Sequence, residues 1–333
     1  VHTLVKNLKA REGQAALDLV VFYLDDGVLA GDLRALSAAL RTVEEEGARL
    51  GLQLNLGKCE LVLPPGNNAS QDELGRLFPQ SLLKDTDGKD RVLSTEGFDL
   101  LGIPIGSAAH CAAYTADVAK KAGILLQEIA SLEDPQVALR LLCMCASHAK
   151  LTYNTRGTPS GLHNQQLLAF DVEVRKTFAK AVRVCPDDKA WKQATLGLKH
   201  AGLGLRSTAK HAPAAYLASA ASCHKLCAEV DPAFQFNLDD SSSAAGRALA
   251  ALNVERPVDS KLSAESALRC KQKDLSRALD QASFDELLQQ ASIAERSNLL
   301  SECQAGARDF LSAVPNQHLA WVWPCSQPSS RRP

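Results

Sequence analysis

The sequence predicts an α+β protein in which a short strand-bearing part precedes a longer, mostly helical part. Up to residue 106, short β-branched and aromatic runs alternate with turn residues, whereas after Ser107 apolar residues recur at helical spacing. The chain has 333 residues, of which 46% are hydrophobic, so it can bury a sizeable core. This composition excludes a wholly disordered chain and a collagen-like chain.

The first predicted element is a hairpin. The run from Leu19 to Leu24 is β-branched and aromatic, as in a strand, and residues 28–30 resemble its returning partner. Asp26 and Gly27 lie between the two runs, and an Asp-Gly pair suits the positive φ angles of a type I′ turn. The sequence therefore predicts a turn at Asp26-Gly27.

A helix is predicted after this hairpin, because Asp32 suits an N-cap and Gly51 suits the residue after a helix end. Its buried stripe would comprise Leu33, Leu36, Leu40 and Val43. Alternating leucines over residues 52–56 predict a half-buried strand, and the apolar residues 98–105, bent by a glycine and a proline, predict a short hairpin.

The rest of the chain is predicted to be largely helical. The predicted helical segments are residues 116–132, 135–150, 162–184, 208–229 and 260–313, and Asp134-Pro135 marks the boundary between the first two. A run of Asp and Ser from residue 239 predicts a linker, and residues 324–333 predict a disordered tail.

Charge is unevenly distributed along the chain. Residues 1–106 hold 11 Lys and Arg against 16 Asp and Glu, whereas residues 107–215 hold 14 against 8. The whole chain has a formal net charge of −1, which argues against a dedicated nucleic-acid-binding protein. A basic middle beside an acidic N-terminal part is compatible with a phosphate-contacting surface next to metal-binding carboxylates, and also with ordinary surface variation.

Two adjacent carboxylates, Asp25 and Asp26, fall at the predicted hairpin tip. Neighbouring side chains on a strand point to opposite faces, but a turn breaks this alternation and lets both carboxylates converge. Mg²⁺ prefers such oxygen ligands, and a pair of these ions promotes phosphoryl transfer. The alternative is that both residues simply favour a turn.

Three motifs occur in order: Tyr23-Leu24-Asp25-Asp26, then Leu52-Gln53-Leu54-Asn55-Leu56-Gly57-Lys58-Cys59-Glu60, then Leu101-Gly102-Ile103-Pro104-Ile105. Together they resemble the second half of the palm of reverse transcriptases encoded by non-LTR retrotransposons. The resemblance covers roughly residues 19–106. Segments 203–207, 212–216 and 306–315 are also similar to regions downstream of the polymerase in such reading frames.

The resemblance implies a domain organisation. Residues 1–106 would form a partial palm of two hairpins and a helix, and residues 107–238 a helical thumb-like region. A linker at residues 239–259 would lead to a helical C-terminal region, residues 260–323, before the tail.

The resemblance also implies residue roles in RNA-directed DNA synthesis. Asp25 and Asp26 would bind catalytic Mg²⁺ or Mn²⁺, and Tyr23 would lie near the incoming dNTP or the primer end. Lys58 would assist the departing pyrophosphate, with a surface lysine as the alternative. Gly102 would contact the DNA primer through main-chain groups. The duplex of primer and RNA template would contact basic thumb residues, namely Lys120, Lys121, Lys150, Arg156, Arg175 and Lys176, although each also suits a solvated helix face.

The family also uses an Asp on an earlier strand and a glycine-bearing nucleotide pocket, and neither is found before Tyr23. Asp18 cannot replace that Asp, because it lies seven residues before Asp25 along the same predicted strand. Two carboxylates under-ligate two Mg²⁺ ions, so we expect no polymerase activity from the chain alone. The chain begins with Val1 and its one methionine is Met144, which predicts a fragment. The other hypotheses are a non-catalytic helical remnant that binds nucleic acid or protein, and a fragment without a stable fold.

Zinc binding is not expected. Cys223-His224-x-x-Cys227 and Cys143-x-Cys145 lack the second ligand pair of a structural zinc site, so buried free thiols are the better interpretation. The N-terminal residues lack the layout of a signal peptide, and no apolar run is long enough to span a membrane. These features predict an intracellular protein, nuclear or cytoplasmic, without a membrane partner.

Overall fold

The computed structural model describes residues 2–11, 13, 16–24, 26–94 and 96–303. These residues form two compact units. One comprises the described residues up to Phe98 together with Lys225–Gln235, and the other comprises Asp99–His224 and the described residues from Phe236 onward. The mixed helix and strand content confirms an α+β chain.

The first unit begins with helix α1 (His2–Lys9) and the hairpin of β1 (Leu19–Tyr23) and β2 (Asp26–Ala30). Helix α2 (Leu33–Arg49) follows. The remaining elements are β3 (Val62–Leu63), α3 (Gln71–Leu77), α4 (Gln80–Leu83) and β4 (Leu93–Ser94), and β3 pairs in parallel with β4.

Helix α2 has the predicted ends. The Asp32 carboxylate accepts a hydrogen bond from the Arg34 amide at the N-terminus, and Gly51 adopts a φ of +76° just after the C-terminus. Its apolar residues contact two clusters. Leu33, Leu36 and Leu40 pack against buried leucines of β3, α3 and α4, whereas Ala39 and Val43 pack against α1 and β1. Helix α2 thus joins both halves of the unit's core.

The predicted strand over residues 52–56 is wrong. This segment contains no strand, and Leu56–Lys58 form a 3₁₀ turn. The Arg91 guanidinium donates hydrogen bonds to the carbonyls of Gly57 and Cys59, at 2.6 and 3.1 Å. A side chain distant in sequence therefore takes acceptors that a strand would offer to a neighbouring strand.

The predicted hairpin at residues 98–105 is confirmed as β5 (Gly97–Leu100) and β6 (Ile103–Gly106). The helices after it are α5 (Ala108–Ala130), α6 (Pro135–Leu141), α7 (His148–Gly157), α8 (Asn164–Val182), α9 (Asp188–Ala194) and α10 (Thr208–Val230). The segment predicted as one helix over residues 135–150 is interrupted by a π-helical segment, Leu142–Ala146. This π segment separates α6 from α7.

The core of the second unit lies between α5, α6 and α8. Leu126, Leu142, Leu167 and Phe178 are almost wholly buried within it. Asp134 caps α6, with Pro135 in the first turn, as the sequence predicts. A carboxylate of α8, Asp171, caps the start of α10 by accepting hydrogen bonds from the amides of Thr208 and Ala209.

The predicted linker at residues 239–259 is also wrong. Helix α11 (Ala244–Val254) occupies most of it, and Leu249 and Leu252 are buried against α10 and α13 residues. Ser243 caps α11, so the Asp-Ser run is a helix start rather than a flexible connection. The final described helices are α12 (Ala264–Arg269), α13 (Gln272–Gln290) and α14 (Ile293–Cys303). The predicted tail and residues 306–315 lie outside the described residues.

Candidate functional site

The acidic hairpin has a two-residue loop. Tyr23 pairs with Asp26 across β1 and β2, so the loop consists of Leu24 and Asp25. Leu24 has a φ of +56°, an uncommon left-handed conformation for a leucine, and its side chain is 76% exposed. Asp25, the predicted catalytic and metal-binding partner of Asp26, lies outside the described residues.

The predicted turn at Asp26-Gly27 is wrong by two residues, because both residues already belong to β2. Gly27 pairs with Phe22, and a Cβ atom at position 27 would lie 2.6 Å from the Phe22 ring. The glycine therefore admits the aromatic ring of the opposite strand, and the Asp-Gly signal reflects close packing instead of a turn.

Asp26 and Tyr23 are both accessible at this tip. Tyr23 is 63% exposed, Asp26 is exposed, and within the described residues the Asp26 carboxylate has no hydrogen-bond or ion-pair partner. In contrast, the Asp32 carboxylate at the other end of β2 is occupied by its helix cap. Asp26 is thus an unpaired carboxylate at the exposed tip of a short hairpin.

Lys58 lies on the 3₁₀ turn of the first unit, with its side chain exposed. The Lys58 amide donates to the Asn55 carbonyl, and the Cys59 thiol contacts the same carbonyl oxygen. These contacts order the backbone of the turn and leave the Lys58 ammonium free within the described part of the chain.

The second hairpin carries Gly102 at its turn. Leu101 and Gly102 have φ angles of +50° and +77°, the combination that a type I′ turn requires. The Tyr153 hydroxyl of α7 donates to the Leu101 carbonyl at 2.7 Å, and the Tyr114 hydroxyl of α5 donates to the Gly102 carbonyl at 2.8 Å. The turn is therefore fixed to two helices at once.

Further contacts dock this hairpin. His110 of α5 lies 3.0 Å from the Asp99 carboxylate. The Ile103 side chain approaches Gly157 at the end of α7 so closely that a Cβ atom there would lie 2.6 Å from it. The buried Cys111 thiol faces the Pro104 carbonyl at 3.8 Å. These contacts make the turn an extension of the helical unit.

A buried polar network also joins α5 and α7. Its residues Thr115 and Asn154 directly follow Tyr114 and Tyr153 in the sequence. The Thr115 hydroxyl lies 3.2 Å from the Asn154 amide oxygen and 2.8 Å from the His163 Nδ1 atom, and all three side chains are buried. Burial lowers the pKa of His163 to about 4, so the ring is neutral at physiological pH.

The predicted basic residues have different surroundings. Lys121 pairs with Asp117 and Lys176 pairs with Glu173, each within one exposed helix. Arg175 contacts the Asp188 carboxylate, the Pro186 carbonyl and the Trp191 ring, which is a structural role. Lys120 and Lys150 are exposed and have no ion pair within the described residues, and the Arg156 guanidinium donates to Gln272.

The cysteine motifs form no metal site in the part of the chain that the structure describes. No group of three or more His, Cys, Asp or Glu side chains there is placed to hold a metal ion. Burial raises the pKa of the Cys143 thiol to about 12, and His224 stacks on Phe236. The described helices also include none that is long and apolar enough to cross a membrane.

Sequence reasoning missed several polar residues that define the second unit. They are Tyr114, Tyr153, and the group formed by the buried Asp280 and His211 with the half-buried Arg206. The sequence feature that could have drawn attention to the tyrosines is their rarity, since the chain contains four. Nothing local marked Asp280, because its partners lie about 70 residues away along the chain.

No protein-family model matches the chain, and no curated protein matches its sequence. The likeness to reverse transcriptases therefore depends on the three ordered motifs alone.

Proposed function

We propose that the chain is part of an RNA-directed DNA polymerase, in which a primer 3′-hydroxyl attacks a dNTP on an RNA template. The observation that carries this proposal is the acidic hairpin. Its Asp26 carboxylate is exposed and unpaired within the described residues, beside a loop with a left-handed leucine. Strained residues of this kind are concentrated at functional sites.

In this proposal Asp25 and Asp26 are ligands of Mg²⁺ or Mn²⁺. The metal ions would stabilise the negative charge that develops on the attacking and leaving oxygens. Two carboxylates leave most octahedral positions to water and substrate phosphates, so a third aspartate from an upstream strand would complete the site. Lys58 would stabilise the departing pyrophosphate through its free ammonium group.

Mn²⁺ binding tests the metal site directly, because the paramagnetic signal of free Mn²⁺ disappears on binding. We expect the wild-type chain to bind Mn²⁺. An Asp25→Asn, Asp26→Asn double variant should no longer bind it. Asp18→Asn is the matched control, since Asp18 is an exposed carboxylate at the opposite end of the same hairpin. Equal binding by the double variant and the control would contradict the proposal.

Primer extension by the chain alone is expected to give no incorporation, because the third aspartate is missing. The assay uses an RNA template, a DNA primer, dNTPs and Mg²⁺. Incorporation that Asp25→Ala abolishes would disprove the need for an upstream ligand.

The second candidate is a nucleic-acid-binding remnant without catalysis. Its support is the exposed pair Lys120 and Lys150, which lie on α5 and α7, the two helices that hold the Leu101-Gly102 turn. Duplex binding without Mn²⁺ binding at the hairpin would favour this candidate.

A further inference from the structure

The Leu101-Gly102 turn is unusual in the way its polar groups are used. Both carbonyl oxygens accept hydrogen bonds from tyrosine hydroxyls of two different helices. The Tyr153 ring also packs on the glycine, since a Cβ atom at Gly102 would lie 3.6 Å from it. Leu101 nevertheless remains 47% exposed and Tyr153 57% exposed, so the turn faces solvent.

This arrangement uses the carbonyls of the turn and leaves its backbone amides available as hydrogen-bond donors. Within the described residues, the amide nitrogens of Leu101 and Gly102 have no hydrogen-bond acceptor. Consecutive free amides in a turn bind anions, and protein amides commonly contact nucleic-acid phosphates. The tyrosine hydroxyls hold the carbonyls, which would repel a phosphate, toward the helices.

Cationic side chains share helix faces with the two tyrosines, and the Asp99 and Asp117 carboxylates also lie near Tyr114. Lys121 lies seven residues after Tyr114, on the same face of α5, and Lys150 and Arg156 lie three residues on either side of Tyr153 on α7. Asp117 neutralises Lys121 in part. Burial and the nearby Asp99 carboxylate raise the pKa of Tyr114, which keeps its hydroxyl protonated as a donor.

We propose that Tyr114 and Tyr153 are positioning residues that hold the Leu101-Gly102 turn with its amides directed at the phosphate backbone of a bound duplex. The ligand class rests on the proposed function, whereas the two hydroxyl bonds are a property of the structure itself. Neither hydroxyl donates to a phosphate, because its single proton is given to a turn carbonyl.

The test compares duplex binding by Tyr114→Phe, Tyr153→Phe and the double variant of the full chain. The probe is a fluorescein-labelled DNA primer annealed to RNA, measured by anisotropy over a range of salt concentrations. We expect each single variant to weaken binding about threefold to tenfold. The slope of log affinity against log salt should not change, because no phosphate contact by a cation is lost.

Two control variants sharpen the comparison. Tyr216→Phe makes the same change on α10, away from the turn, and should leave binding unchanged. Lys150→Ala, which removes an exposed cation three residues before Tyr153 on α7, should lower the salt slope by about one, as expected for a cation that contacts phosphate. Thermal melts of all variants separate loss of positioning from loss of folding.

Amide hydrogen exchange of residues 98–106 gives the structural readout. Faster exchange in the tyrosine variants, with weaker binding and an unchanged melting temperature, would support the proposal. Wild-type affinity in the double variant would overturn it and leave the proposed function standing. Absence of duplex binding by the wild-type chain would overturn both.

Discussion

Asp280 is buried in α13 and interacts with two side chains from other elements. The Arg206 guanidinium lies 2.6 Å from one carboxylate oxygen, and His211 of α10 lies 3.3 Å from the other. Burial raises the pKa of Asp280, but hydrogen bonds from these partners outweigh it and hold the pKa below its ordinary value. This carboxylate therefore fixes α13 to α10.

Asp280→Ala should destabilise the protein by about 3 kcal/mol, because it leaves two buried or half-buried donors without an acceptor. Asp274→Ala is the control on the same helix. Its exposed carboxylate lies 3.6 Å from Arg277, and its loss should change stability by less than about 0.5 kcal/mol. Chemical denaturation measures both values, and equal effects would contradict a structural role for the buried pair.

Gly202 is needed for packing, because backbone atoms occupy the space that a side chain would take. A Cβ atom there would overlap the Leu196 carbonyl oxygen and lie 2.7 Å from the Gln193 carbonyl oxygen. Gly202→Ala should therefore cost more than about 2 kcal/mol. Gly123→Ala, in the middle of α5 with open space around it, should stabilise by roughly 0.5–1 kcal/mol. Denaturation curves in which both changes have the same sign would contradict the packing described.

Individual helices and strands differ in how well sequence predicts them. Where a side chain marks a boundary locally, as Asp32 does for α2 and Asp134 for α6, the prediction is confirmed. The predicted strand over residues 52–56 fails because strand formation needs a partner. Only Val62–Leu63 find one, in Leu93–Ser94. The leucine alternation carried no information about that partner.

Helices α7 and α8 have neutral histidines at or near their N-termini, the half-buried His148 and the buried His163. Burial lowers the pKa of His148 to about 3 and that of His163 to about 4. In the unfolded chain both rings titrate near pH 6.5, so the unfolded state takes up protons first as the pH falls.

Stability should therefore be fully present above about pH 7 and should decline as the pH falls from 6.5 toward 4. Each histidine should lower the free energy of unfolding by up to about 1.4 kcal/mol for each pH unit of this fall. Thermal melts of wild type and His148→Gln across this range measure the slope, which the substitution should reduce. His2→Gln, at an exposed position of α1, is the control. If stability depended on pH as steeply in His148→Gln as in the wild type, the lowered pKa of His148 would be contradicted.

For the whole molecule, sequence predicted that the strands lie before residue 107 and that helices follow. It did not predict that most of the second hairpin belongs to the helical unit, nor what makes that unit specific. The tyrosine hydroxyls, the Thr115 network and the Asp280 group join residues between 12 and 74 positions apart. Such contacts depend on the packed helices and have no local signature. The acidic hairpin, in contrast, was visible in the sequence because its residues are consecutive, although its turn was misplaced.

The most direct test of the proposed polymerase is primer extension by the chain joined to an N-terminal palm segment that carries the third aspartate. An RNA template, a DNA primer and Mg²⁺ should then support dNTP incorporation that Asp26→Asn abolishes and Asp18→Asn retains. Absence of incorporation, or incorporation that survives Asp26→Asn, would contradict the account.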